Sequence, residues 1–302
     1  MYYSFMTNIF MTSLFMTSLA NGNRPLPTMY LDRPEGRIAY DVRPSEGPPR
    51  GLVVAVPGMG DLRSTYRFLA PALARAGYRV VTTDLRGHGD SSAGFRGYGD
   101  EATAGDLIAL VESLRRADEP VIVIGNSMAA GSAVIVAASR PDLVQGLVLI
   151  GPFVRDGERS FSSRVLFRVA MARPWVSMVW KSYVPSMYAG RRPGDFDQHL
   201  RAIVASLRRP GYARAFSRTT RTSHAAAEAA LGRVDARTLV VMGRQDPDFA
   251  DPDAEARWVA QQVRGTARLV DEAGHYPHAQ RPDVVTPAVL AFLAERPARP
   301  RA

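Results

Sequence analysis

The chain contains no cysteine. That excludes a disulfide framework, a thiol nucleophile and a thiolate metal site. It also suits a reducing compartment, so a cytoplasmic location is expected. Lysine is almost missing as well. Lys181 is the only one, and the rest of the positive charge behind the formal net charge of +9 is arginine. The arginines are scattered along the chain, with no single basic run and no recognisable nucleic-acid motif, so no nucleic-acid partner is expected. Long uninterrupted apolar runs are absent too. Thr, Ser and Asn break the apolar stretch of residues 1–19, which also lacks Lys and Arg. It therefore reads as neither a membrane span nor a secretory signal, and no membrane partner is expected. Phe5-Met6-Thr7, Phe10-Met11-Thr12 and Phe15-Met16-Thr17 recur there at a spacing that fits neither helix nor strand. Residues 1–28 are expected to be a disordered or spurious extension, with Met29 a natural start, and residues 297–302 a frayed tail.

What is present is apolar sequence in short, ordered pieces. With 302 residues, 46% of them apolar, one α/β domain with an insertion can bury a large core. Residues 29–32 and 37–43 read as paired strands around Pro34-Glu35-Gly36. The continuous apolar run 52–56 reads as a strand buried on both faces, and 79–83, 121–124, 144–150, 238–242 and 267–270 read as further strands, that at 144–150 also buried. Helical patterns separate them at 64–76, where Ser64 is the expected cap and Gly77 the stop, and at 100–116, 130–139 and 253–263. A last helix is expected over 282–295. This alternation predicts a mostly parallel sheet with right-handed crossovers. It breaks over 153–233, where aromatics (Phe161, Phe167, Trp175, Trp180, Tyr183, Tyr188) and arginines sit in irregular helical patterns. The doublets Arg191-Arg192-Pro193-Gly194 and Arg208-Arg209-Pro210-Gly211 mark breaks between helices, so this segment is expected to be a helical insertion.

Gly125-Asn126-Ser127-Met128-Ala129 joins the strand at 121–124 to the next helix. A serine on a sharp strand-to-helix turn is lifted clear of the sheet, provided the flanking residues are small. A hydroxyl is a poor nucleophile near neutral pH and needs a base, which in turn needs an acid to fix its tautomer. In a parallel sheet such groups gather at the carboxyl ends of strands. Asp246 follows the strand at 238–242 and His275 follows that at 267–270. His88, His199, His224 and His278 are weaker candidates for the base. Asp248, Asp251, Asp253 and Asp156 stay open as alternatives to Asp246. An oxyanion formed at Ser127 needs two backbone N–H donors. Met128, directly after the serine, is one candidate. Met59, in the loop after 52–56, is the other, with Gly60 second; Pro57 has no N–H to give. Asp84 and Arg86 are expected to tie down their loop rather than react.

Taken in order, Pro57-Gly58-Met59-Gly60, Asp84-Leu85-Arg86-Gly87-His88-Gly89-Asp90-Ser91, the Ser127 turn, Gly243-Arg244-Gln245-Asp246 and Gly274-His275-Tyr276-Pro277 resemble the successive signatures of the α/β-hydrolase superfamily. The resemblance covers residues 29–296. It implies an α/β-hydrolase core at 29–152 and 234–296, with a helical cap at 153–233 over a small-molecule, largely apolar substrate. It implies a serine hydrolase of carboxylic esters or thioesters, with Ser127, Asp246 and His275 as triad and no metal or cofactor. Asn126 gives the turn a similarity to hydrolases that cleave carbon–carbon bonds in meta-cleavage products, the second reading. A triad-bearing ligand receptor with little turnover is a third. The chain departs from the family pattern at Pro57, where His is usual, and at Ala129, where Gly is usual.

Overall fold

The computed structural model describes residues 26–157 and 161–295, without the side chains of residues 161–165, Phe161 among them. Most of the expected N-terminal extension and the whole expected tail fall outside these residues.

Eight strands form one sheet: β1 (Thr28–Arg33), β2 (Gly36–Arg43), β3 (Gly51–Val56), β4 (Tyr78–Thr83), β5 (Val121–Asn126), β6 (Gly146–Ile150), β7 (Arg237–Gly243) and β8 (Thr266–Val270). Their order is β1-β2-β4-β3-β5-β6-β7-β8. β1 and β2 pair antiparallel, as do β2 and β4, and every later pairing is parallel. The central strands read as unbroken apolar runs because both faces are covered: all six residues of β3 and of β5 are buried. One apolar cluster lies under the helices Asp100–Leu114, Met128–Ser139 and Pro252–Gln262, and another under Leu69–Arg75 and Pro282–Ala294. Burying one such leucine or valine contributes roughly 1.5–3 kcal/mol, so the sheet is a rigid floor for the loops above it.

Two expectations need correction. β1 begins at Thr28, one residue before Met29, and Arg63 donates to the Thr28 hydroxyl at 2.7 Å. The helix expected from Ser64 is instead a 3-10 turn, Arg63–Tyr66, followed by a separate helix, Leu69–Arg75. Ser64 caps neither, and its hydroxyl lies 3.4 Å from His199 Nδ1. The reason is a contact from the end of β4. Asp84 accepts from the Arg63 backbone N–H at 2.8 Å and pairs with its guanidinium, pinning the chain before a regular helix can start.

After β6 come the helices Phe161–Ala170, Val176–Met187, Phe196–Leu207, Tyr212–Thr219 and Ala225–Ala230. Trp180, Val184, Tyr188, Phe196 and Phe216 bury against one another and against Tyr276 of the sheet-end loop. Both Arg-Arg-Pro-Gly doublets lie between helices, and Gly211 takes a φ of +90° before the second restart. Among the described residues no helix is long and apolar enough to cross a membrane.

Candidate active site

Ser127 stands between β5 and the helix Met128–Ser139 with φ 56° and ψ −126°. A non-glycine residue held at positive φ costs roughly 1–3 kcal/mol and persists only where its surroundings dictate it. Here the backbone is bonded on both sides. Ser127 N–H donates to Ile150 O at 2.9 Å, and Ser127 O accepts from Ala130 at 2.9 Å and Phe153 at 3.2 Å. The need for small neighbours is visible directly: a Cβ on Gly125 falls 2.4 Å from Ala129 O, and one on Gly58 falls 2.7 Å from Ser127 Cβ. Ala129 itself is fully buried, so the turn closes with alanine where the family usually has glycine.

His275 and Asp246 meet above the same end of the sheet. His275 Nδ1 donates to Asp246 Oδ2 at 2.7 Å, and both residues are 2% exposed. The other oxygen of Asp246 accepts from the Asp248 N–H at 3.1 Å. Asp248 Oδ2 lies 3.7 Å from the same imidazole nitrogen, while its Oδ1 accepts from the Tyr183 hydroxyl of the helix Val176–Met187. Burial alone lowers the basicity of His275. Asp246, then Asp248 and more distant Asp61, reverse that and raise its pKa to about 9. The backbone is fixed from the insertion, since His275 N–H donates to Met187 O at 2.8 Å.

The other acids have separate duties. Asp251 caps the helix Pro252–Gln262 by accepting from Ala254 N–H at 2.9 Å. Asp253 pairs with Arg244, and Asp156 accepts from Ser223 and from His224 N–H. Asp246, Asp248 and His275 offer ligand atoms within 4.8 Å of one another. Both oxygens of Asp246 are engaged within the protein, one by the Asp248 N–H and the other by His275 Nδ1.

Ser127, Met128, Met59 and His275 all line one cavity of about 290 Å³. Gly60 is a poor second donor for an oxyanion, because its N–H is taken by His88 Nε2 at 2.9 Å. His88 donates from Nδ1 to Arg86 O at 2.9 Å, and burial lowers its pKa to about 4, so it stays a neutral acceptor. The sequence reading placed His88 in a turn and missed this role. Its spacing of 28 residues from Gly60 carries no local signal. Asp84 and Arg86 hold loops as expected, but through different partners: Asp84 binds Arg63 and the Asp90 N–H, and Arg86 binds Asp106.

Asn126 does not line the cavity. It is fully buried, donates to Ile150 O at 3.0 Å and reaches toward His275 O at 3.4 Å. The cavity walls are of two kinds. Met59, Met128, Phe153, Phe167, Trp180 and Met187 make an apolar side. Asp156, Thr219, Thr220, Thr222 and His224, with the arginines Arg155, Arg168 and Arg221, make a polar and charged one, which the expectation of a largely apolar site did not include. His224 is tied at Nδ1 to Asp100 Oδ2 at 2.8 Å. Burial is the largest influence on Asp100 and raises its carboxyl above the usual range, against the opposing pull of His224.

With this geometry in view, the comparisons with known proteins take on meaning. Residues 47–280 match the family described as serine aminopeptidase, S33. A probable esterase, D14L, from Oryza sativa subsp. japonica is 27% identical over 256 residues, covering 81% of this chain and 92% of that protein. A monoacylglycerol lipase from Mycolicibacterium smegmatis is 34% identical over 127 residues, 39% of this chain and 43% of that one. The crystal structure of a probable hydrolytic enzyme from Pseudomonas aeruginosa superposes with a TM-score of 0.73 at 20% identity, over 90% of this chain and 95% of that one, which shows the shared fold. The family match spans most of the chain and agrees with the sheet order and its parallel core. The protein is therefore a hydrolase of the α/β-hydrolase superfamily and belongs to the serine aminopeptidase S33 family.

Proposed function

We propose that the protein hydrolyses a carboxylic ester or thioester through an acyl-enzyme on Ser127. The observation that carries this reading is the buried His275–Asp246 pair, 2.7 Å apart, on the wall of the cavity that also receives the strained Ser127. The neutral form of His275 takes the hydroxyl proton as Ser127 Oγ attacks the carbonyl carbon. Negative charge moves to the carbonyl oxygen, where the N–H groups of Met128 and Met59 receive it. The C–O or C–S bond to the leaving group then breaks, and that group departs with the proton from His275. A water loses its proton to His275, attacks the acyl carbon and releases the acid. Ser127 Oγ leaves last and recovers its proton. Asp246 holds the imidazole in the required tautomer and offsets its charge throughout.

The helices of residues 153–233 act as a cap in this scheme. They supply Trp180, Tyr183 and Met187 to the cavity, and Tyr183 binds Asp248 beside the base. The carbon–carbon reading rested on Asn126. Because that side chain is buried against Ile150 O and absent from the cavity lining, it gives no reason to prefer that chemistry.

The test is a panel of p-nitrophenyl esters of graded chain length beside a vinylogous diketone acid. The expected result is turnover of esters, with none of the diketone acid, and its loss in Ser127→Ala. Cleavage of the diketone acid alone supports the second reading. No turnover together with no labelling by a fluorophosphonate supports a ligand receptor.

A further inference from the structure

The cavity contains a second histidine–carboxylate pair that the proposed reaction does not use. His224 lies just before the helix Ala225–Ala230, and Asp100 opens the helix Asp100–Leu114, 124 residues away in sequence. They meet at 2.8 Å, close to the 2.7 Å of His275–Asp246. The carboxylate is on the buried side of the pair and the ring is on the cavity side: Asp100 has 1% of its side chain exposed and His224 has 17%. Phe153 separates the two imidazoles, its ring centroid 5.8 Å from each. The second pair therefore stands one aromatic ring away from the first, and His224 lines the same cavity as Ser127 and His275.

Nδ1 of His224 is occupied by Asp100, and Nε2 has no partner among the described residues. The backbone N–H of His224 is also fixed, by Asp156 Oδ1 at 2.9 Å, so the ring is held from two sides. An apolar ligand covering Nε2 leaves a polar atom without a hydrogen bond, which disfavours binding. With Nδ1–H donated to Asp100, neutral His224 presents a lone pair at Nε2 that a carboxylate cannot hydrogen-bond, and a carboxylate entering the cavity is drawn instead to Arg155, Arg168 or Arg221. A hydroxyl has neither problem. It can donate to Nε2 when Nδ1 carries the proton, or accept from it when Nε2 does. Thr219, Thr220 and Thr222 continue the same polar wall.

The geometry points to His224, oriented by Asp100, as the residue that selects a hydroxylated acyl substrate by hydrogen-bonding its hydroxyl group. This rests on the ester-hydrolase reading for the position of the scissile carbonyl. His224 is then a specificity residue and Asp100 its positioning residue. A site built to bond a hydroxyl discriminates against the analogue that lacks it more strongly than an apolar pocket does.

The experiment compares matched p-nitrophenyl esters: butanoate with 3-hydroxybutanoate, and hexanoate with 6-hydroxyhexanoate. The readout is the ratio of kcat/KM, hydroxylated over plain, which does not depend on how much of a preparation is folded. The intact protein is expected to favour at least one hydroxylated member by about tenfold or more. That ratio is expected to fall toward unity in His224→Ala and to drop in Asp100→Asn. A wild-type ratio of one or less for both pairs overturns the inference, as does a ratio that neither substitution changes. The corresponding methyl esters titrated calorimetrically into Ser127→Ala read the same preference without turnover. An inert Ser127 with a hydroxyl preference in binding thus removes the hydrolase reading alone, whereas brisk turnover without any preference removes this inference alone.

Discussion

Two histidine–carboxylate pairs face one cavity with almost the same separation, yet their surroundings give them different chemistry. At His275, Asp246 has both oxygens engaged, and a second carboxylate, Asp248, lies 3.7 Å from the ring. The combined negative charge outweighs burial and raises the imidazole to about 9. At His224 the carboxylate bonded to the ring, Asp100, leaves Oδ1 buried without a hydrogen bond, and burial raises that carboxyl. What distinguishes the pairs is how completely the acid is satisfied, and which residue stands beside the ring.

The largest expected effect lies on the first pair. Ser127→Ala or His275→Ala should lower kcat by about 10⁴ or more on the best ester of the panel, measured under saturating substrate. Asp246→Asn should cost a comparable factor, because the asparagine cannot hold the required tautomer. A small effect at Asp246 and a large one at Asp100 would reverse the assignment of the two pairs.

Next in size is a pH effect confined to the first pair. Only neutral His275 accepts the Ser127 proton, so kcat/KM should climb with pH toward a plateau above about 9. Asp248→Asn removes a negative charge near the ring and should move this limb to lower pH. Stability should run the other way. The folded pKa lies above the ordinary value of 6.5, so the contribution of the charged ring is complete below 6.5 and is lost as pH rises through about 9. Rates and denaturant midpoints across that window should move in opposite directions.

The smallest effect separates the acids around the first pair. Asp251 crowds Asp246 in sequence but caps a helix. Asp251→Ala should cost about 1 kcal/mol of stability by denaturation and leave ester turnover unchanged. A large loss of turnover would mean that the acid has been misplaced.

Much of the fold was legible because the signals were local. β3 and β6 are continuous apolar runs and β5 is one up to the turn, as strands covered on both faces must be, and Ser127, Asp246 and His275 lie just past the ends of β5, β7 and β8. What the sequence hid depended on partners distant along the chain. Ser64 looked like a helix cap until Arg63 was seen held by Asp84, 21 residues on. His88 looked like a turn residue until its Nε2 was found on Gly60. His224 and Asp100 carry no motif and acquire meaning only when the insertion folds back against the start of a core helix. Asn126 gave the turn its similarity to carbon–carbon hydrolases, yet its amide donates to Ile150 O, a strand end 24 residues away that no local pattern announces.

The most direct test of the central claim is the rate and place of fluorophosphonate labelling, followed by peptide mapping. The account predicts a single fast adduct on Ser127, slowed by orders of magnitude in His275→Ala but not in His224→Ala. An adduct on another residue, or a Ser127 rate that His275→Ala leaves unchanged, would contradict it.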